Sequence, residues 1–188
     1  MQINIPNVLT WLRILAIPLV VGVFYLPDAW LNSHEKNQTA TFLFVLAAIT
    51  DWLDGWLARK LNQQSAFGAF LDPVADKLIV AAALIVLVHL GRCHALIALI
   101  IIGREITISA LREWMAQQGR SKSVAVNALG KIKTIVQMIA IPLLLFHDNF
   151  MGLFEAQWLG DWFIWGAAVL TLVSMFYYLK AAWPMLRQ

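Results

Sequence analysis

Six apolar stretches recur along the chain, at about 11–27, 39–59, 73–91, 95–113, 130–147 and 160–180, each near the roughly 20 residues a helix needs to cross about 30 Å of hydrocarbon. A bilayer interior offers no water to unpaired backbone groups, so each run must close its hydrogen bonds within itself. The expected fold is therefore all-α: a polytopic membrane protein with six transmembrane helices. Of the 188 residues, 61% are hydrophobic and 13% charged, and no soluble domain fits between the runs. Residues 1–188 are read as a single membrane-embedded domain, with 1–10 as a juxtamembrane segment. The opening "MQINIPNVLTWLRI" has no basic residue ahead of its apolar run and no small-residue cleavage site, so it is expected to stay in the mature protein. In preference to a frayed end, it reads as a short N-terminal interfacial helix begun by Asn4 or Pro6, with Val8, Trp11, Leu12 and Leu15 toward lipid.

Lys and Arg concentrate in cytoplasmic loops. With the N-terminus inside, twelve of the fourteen basic residues fall on that side: Arg13, Arg59, Lys60, Lys77, Arg104, Arg112, Arg120, Lys122, Lys131, Lys133, Lys180 and Arg187. Lys36 and Arg92 fall outside, and the loop from Phe146 to Asp161 carries Asp148, Glu155 and Asp161 without a Lys or Arg. Both termini are then cytoplasmic. All four histidines, His34, His89, His94 and His147, fall near the external ends, and the lone Cys93 excludes an intrachain disulfide.

Against this apolar background, "DWLDGWLARKLNQQSAFGAFLDPVADK" places four aspartates at the inner face. At about 100° per residue, Asp51, Asp54, Gly55, Ala58 and Arg59 share one helix face, and Asp72 and Asp76, at i and i+4, share another. Four converging anions need protons or cations, and oxygen-only ligands without Cys or His suit Mg²⁺ or Mn²⁺. Blander readings exist for each part: Asp72 before Pro73 suits an N-cap, Gly55 and Ala58 suit close helix packing, and Arg59 and Lys60 suit positive-inside anchors. None of these explains why the features face one another at one membrane depth.

The stretch resembles the signature D-x2-D-G-x2-A-R-x8-G-x3-D-x3-D of the CDP-alcohol phosphotransferase family at every fixed position: Asp51, Asp54, Gly55, Ala58, Arg59, Gly68, Asp72 and Asp76. The resemblance implies that Asp51, Asp54, Asp72 and Asp76 bind two divalent ions and that Asp76 is the general base. It implies also that Gly55, Ala58 and Gly68 leave room for the cytidine nucleotide of CDP-diacylglycerol, while Arg59 holds its phosphates. An alcohol would attack the β-phosphorus and release CMP. The family further implies a homodimer, and no nucleic-acid partner is expected.

"GREITISALREW" sets Arg104 and Arg112 two turns apart, and "GKIKT" adds Lys131 and Lys133. Positive-inside anchoring suits Arg120 and Lys122 but not Arg104, which falls within a span where an unpaired charge costs at least about 2.5 kcal/mol. A basic pocket beside the acids suggests an acceptor carrying its own phosphate. These segments, with "NIPNVLTWLRI", resemble the bacterial members of the family that use sn-glycerol 3-phosphate, which implies a bacterial inner membrane with the site facing the cytoplasm. Inositol phosphate, serine or a lipid remain alternative acceptors. A membrane prenyltransferase would space its aspartates differently, and a cation transporter would spread its acids across membrane depth.

If Gly55 and Ala58 make room for a nucleotide, Gly55→Leu or Ala58→Trp should abolish CDP-diacylglycerol binding without removing any ligand. Unchanged affinity in both would show that they only pack helices.

Overall fold

The computed structural model describes residues 5–61, 66–117, 128–150 and 154–186. They form six helices: α1 (Ile5–Gly22), continued by a 3-10 turn at Val23–Tyr25, α2 (Ser33–Leu61), α3 (Ala66–His89), α4 (Ala95–Gln117), α5 (Ala128–Phe146) and α6 (Ala156–Leu186). Two-residue strands β1 (Asn149–Phe150) and β2 (Phe154–Glu155) pair antiparallel between α5 and α6. The all-helical expectation holds but for this small ladder. By length and composition alone, Val8–Tyr25 and Ala156–Lys180 are apolar enough to cross a membrane, and Ile132–Phe146 is a shorter apolar helix.

Two expectations are corrected. Among the described residues no separate interfacial helix precedes the first span: α1 runs unbroken from Ile5, because Pro6 falls in its first turn, where proline is tolerated. The predicted outward face is nonetheless there, since Val8, Trp11, Leu12 and Leu15 are all exposed. Helix α3 begins at Ala66, seven residues before the expected start, which puts Asp72 and Pro73 inside the helix. Asp72 is thus not an N-cap, and the capping explanation for it falls away.

Local signals explain the other ends. Asn32 opens α2 as a capping box: its Oδ1 accepts from the Glu35 N–H at 2.9 Å, while Glu35 Oε2 accepts from the Asn32 N–H at 2.8 Å. Beyond α3, Gly91 at φ +70° lets the Arg92 N–H reach back to the Leu87 carbonyl at 2.8 Å. Arg92 then caps another helix, donating to the Leu145 carbonyl at the end of α5 at 2.9 Å.

Polarity runs inside out relative to a water-soluble protein. Phe42, Leu99, Ile106, Trp162, Val169 and Phe176 stand exposed, whereas Thr10, Arg13, Arg104, Lys133, Gln137, Thr171 and Ser174 are buried. Apolar side chains facing outward and polar ones paired inside are what a lipid solvent favours. The apolar core between them joins Val20 of α1, Phe44 of α2, Leu84 and Leu87 of α3, Ile101 of α4, Ile141 and Leu144 of α5, and Ile164 of α6.

The four histidines gather at one end. There Asp148 accepts from Asn37 Nδ2 at 3.2 Å and meets His34 Nδ1 at 2.7 Å. Desolvation pushes the Asp148 carboxyl up, but these bonds and the charges of His34 and His147 outweigh it and hold its pKa below the usual range. Burial, with Asp161 nearby, pushes the Cys93 thiol up to about 11, so it stays an inert thiol. The acids of the motif lie at the opposite end.

Helices α5 and α6 share the most extensive contact, and Gly160 permits it. A Cβ there would lie 2.7 Å from Leu144 Cδ2, 2.8 Å from Cγ and 3.2 Å from the backbone nitrogen. Leu144 is fully buried and cannot retreat. Gly160→Ala should therefore lower stability by about 1–3 kcal/mol. Gly166→Ala, where nothing lies within 4 Å, should not. Thermal unfolding in detergent distinguishes the two; equal Tm values would remove the close-packing argument.

Candidate active site

Thr10 and Arg13 sit one turn apart on the buried face of α1, and Asp72 and Asp76 one turn apart on α3. Thr10 Oγ1 donates to Asp72 Oδ1 at 2.5 Å, and Arg13 Nη1 donates to Asp76 Oδ1 at 2.6 Å. The same Arg13 nitrogen lies 3.0 Å from Asp51 Oδ1 of α2. Arg13 is 1% exposed and the two carboxylates are about two-fifths exposed, so a buried guanidinium holds two acids whose other faces remain open.

Those open faces look into a cavity of about 360 Å³. Its walls follow helical periodicity: Pro73, Asp76, Lys77 and Val80 from α3, Arg104, Glu105, Ile108, Ser109 and Arg112 from α4, and Gly130, Lys133, Thr134, Gln137 and Met138 from α5. Asp51 and Tyr178 close it from α2 and α6.

The cations are held in two ways. Lys133, 1% exposed, pairs with Glu105, which also meets Arg104 Nη1 at 3.3 Å. Arg104 Nη2 reaches Ser174 Oγ at 3.4 Å. Tyr178 serves both arginines: each guanidinium carbon lies 5.6 Å from its ring centroid, and Arg112 Nη2 donates to its hydroxyl at 3.3 Å. A ring face positions a guanidinium without neutralising it. Among the described residues, Arg112 has no carboxylate partner, so its charge remains available to an anion.

Of the residues expected from sequence, the structure brings together Asp51, Asp76, Arg104, Arg112 and Lys133 around one cavity. Asp72 is one turn away on Thr10, and Gly68, buried, is one turn before Asp72 on α3. The side chains of Asp54, Gly55, Ala58, Arg59 and Lys131 lie outside the described residues. Among the described residues no three His, Cys, Asp or Glu side chains form a metal-binding group. Even so, Asp51 and Asp76 direct oxygens onto one positive nitrogen, and two such oxygens meeting at a cation are suitable donors for a hard metal ion.

Thr10, Arg13, Lys77, Glu105, Gln137 and Tyr178 were not expected here. Arg13 and Glu105 had left a signal, a charge inside an apolar run. Tyr178 had left none.

A family model described as CDP-alcohol phosphatidyltransferase matches residues 3–173, spanning every cavity wall but Tyr178. The chain belongs to the CDP-alcohol phosphatidyltransferase family. Its relatives include the proteins named CDP-diacylglycerol–glycerol-3-phosphate 3-phosphatidyltransferase from Salmonella choleraesuis (strain SC-B67) and Escherichia coli (strain K12). Each is 48% identical over 186 residues, covering 97% of this chain and 96% of the relative. Family membership makes the protein a transferase of phospholipid synthesis and a membrane enzyme.

If the Tyr178 ring positions both arginines, Tyr178→Leu should weaken binding of a phosphate monoester about tenfold. Tyr178→Phe, which keeps the ring, should lose about threefold or less. Ligand-induced shifts in Tm measure both, and equal loss would assign the effect to the hydroxyl.

Proposed function

We infer that the enzyme transfers the phosphatidyl group of CDP-diacylglycerol to sn-glycerol 3-phosphate, giving phosphatidylglycerophosphate and CMP. The observation that carries this is one cavity in which Asp51 and Asp76 face Arg104, Arg112 and Lys133. It supplies acids for the reacting end of an alcohol and cations for a phosphate at its other end. The 48% identity to enzymes named for that reaction, over nearly the whole of both chains, supports it.

The chemistry follows from these positions. The acceptor's phosphate is drawn to Arg112, which has no carboxylate partner among the described residues, and to Arg104 and Lys133, which share Glu105. Its terminal hydroxyl is then presented toward Asp76. Asp76 takes the hydroxyl proton as the oxygen forms its bond to the β-phosphorus. The bond from that phosphorus to the bridging oxygen breaks, and CMP leaves with the bridging oxygen. Arg13 keeps Asp76 oriented, its Nη1 donating to Oδ1 at 2.6 Å.

Asp51, Asp54, Asp72 and Asp76 would hold two Mg²⁺ or Mn²⁺ ions. When bound, such ions supply positive charge to the diphosphate and to the departing CMP. Gly55, Ala58 and Gly68 would admit the cytidine nucleotide, Arg59 would hold its phosphates, and Lys131 would add to the acceptor's cations. The reading also carries six spans forming one catalytic domain, a bacterial inner membrane with the site toward the cytoplasm, and a homodimer. The exposed apolar surface and the twelve-to-two division of basic residues support the membrane placement.

Purified protein should release CMP from CDP-diacylglycerol with sn-glycerol 3-phosphate, and not with inositol phosphate or serine. Asp51→Asn, Asp54→Asn, Asp72→Asn and Asp76→Asn should each remove most turnover while the protein still folds. EDTA should silence the wild type, with Mg²⁺ or Mn²⁺ restoring it. Near-normal activity in two of the four variants would overturn the two-metal arrangement.

A further inference from the structure

One polar side chain on the cavity wall is used by neither the acids nor the phosphate-facing cations. Gln137 of α5 is 3% exposed and lines the cavity, and its Oε1 has no hydrogen-bond partner among the described residues. Native interiors pair the great majority of such groups, because an orphaned acceptor costs stability. A cavity-lining amide kept in this state suits a partner that arrives from outside the chain.

Its place on the helix says what kind. Gln137 follows Lys133 by four residues, on the same face and about 6 Å further along the axis. One turn is comparable to the length of a three-carbon alcohol phosphate, so an acceptor held by its phosphate at Lys133 extends past the Gln137 side chain. With the phosphate on Lys133, Arg104 and Arg112, and the reacting hydroxyl toward Asp76, the middle carbon and its hydroxyl fall between them, beside α5. Met138, the next residue in the wall, offers that hydroxyl only a weak sulfur acceptor.

We propose that the Gln137 side-chain amide is a specificity-determining group that hydrogen-bonds the non-reacting secondary hydroxyl of the acceptor. The hydroxyl donates to Oε1 and satisfies the unpaired oxygen. An amide also has a donor end, so a hydroxyl can be met in either orientation. The proposal rests on the acceptor assignment above and deepens it: the cations select a phosphate, and Gln137 selects a polyol backbone over a plain alkyl one. A pocket built to pair a hydroxyl discriminates against an analogue lacking it, because the protein group is then left unpaired.

The test compares sn-glycerol 3-phosphate with 3-hydroxypropyl phosphate, using the full-length enzyme in detergent with CDP-diacylglycerol and Mg²⁺. The analogue keeps the phosphate and the primary hydroxyl at the same spacing and lacks only the secondary hydroxyl. The wild type should show a kcat/KM about tenfold lower on the analogue. Gln137→Met, of similar length and apolar, should bring the two acceptors within about twofold by losing efficiency on sn-glycerol 3-phosphate alone. Its KM for CDP-diacylglycerol should not move. Equal wild-type efficiency on the two acceptors would overturn the proposal, and that arm needs no variant to fold. So would a Gln137→Met enzyme that loses equally on both. Absence of CMP release by the wild type with either phosphorylated acceptor is a different failure: it would overturn the acceptor assignment and the Gln137 role with it.

Discussion

The contact on which the rest depends is the Arg13 guanidinium, held between Asp51 and Asp76. It ties α1 to α2 and α3 at one point, with Thr10 and Asp72 adding a second rung a turn away. A guanidinium cannot shed its proton, so burying it obliges the chain to supply acids. Removing one acid leaves the other on Arg13, and both carboxylates are about two-fifths exposed, so each contributes less than a partner in a fully buried pair. The acids that meet this structural need are the same ones that face the cavity. Helix assembly and site assembly are therefore one event, and the carboxylates are oriented before any ligand arrives.

The cavity wall shows how a lipid-facing protein uses charge. Lipid gains nothing from driving apolar helices together, so buried polar groups and close packing must supply the cohesion. Glu105 does so between Lys133 and Arg104, and Tyr178 does so between Arg104 and Arg112. The two devices differ in consequence. A carboxylate spends the positive charge it holds, while an aromatic face leaves most of it available. Using both keeps the arginine and lysine charges in place without cancelling all of them, as a site for an anionic substrate requires.

Much of this was legible in order of residues alone. Asp51, Asp72 and Asp76 were visible because their spacing matches helical faces, and Arg104 because a charge inside an apolar run demands a reason. The start of α3 was not visible: the Asp72–Pro73 pair has the local chemistry of a helix start, and only the packed helix shows it to be internal. Arg13 counted only among the basic residues of the cytoplasmic side, since its partners are 38 and 63 residues away. Tyr178 left no signal in the sequence.

By itself, the sequence determined the helical membrane class, the aspartate signature, and the turn-by-turn periodicity that sets Lys133 and Gln137 on one face. These are local properties, governed by a helix's fixed rise and rotation and by the cost of charge in an apolar run. The tertiary structure alone decided which faces meet: that Arg13 bridges two aspartates, that one tyrosine serves two arginines, and that the Gln137 side-chain oxygen, in the cavity wall, has no partner among the described residues. Such pairings depend on how helices distant in the chain pack. No pattern within a single helix encodes the depth or rotation of its neighbour.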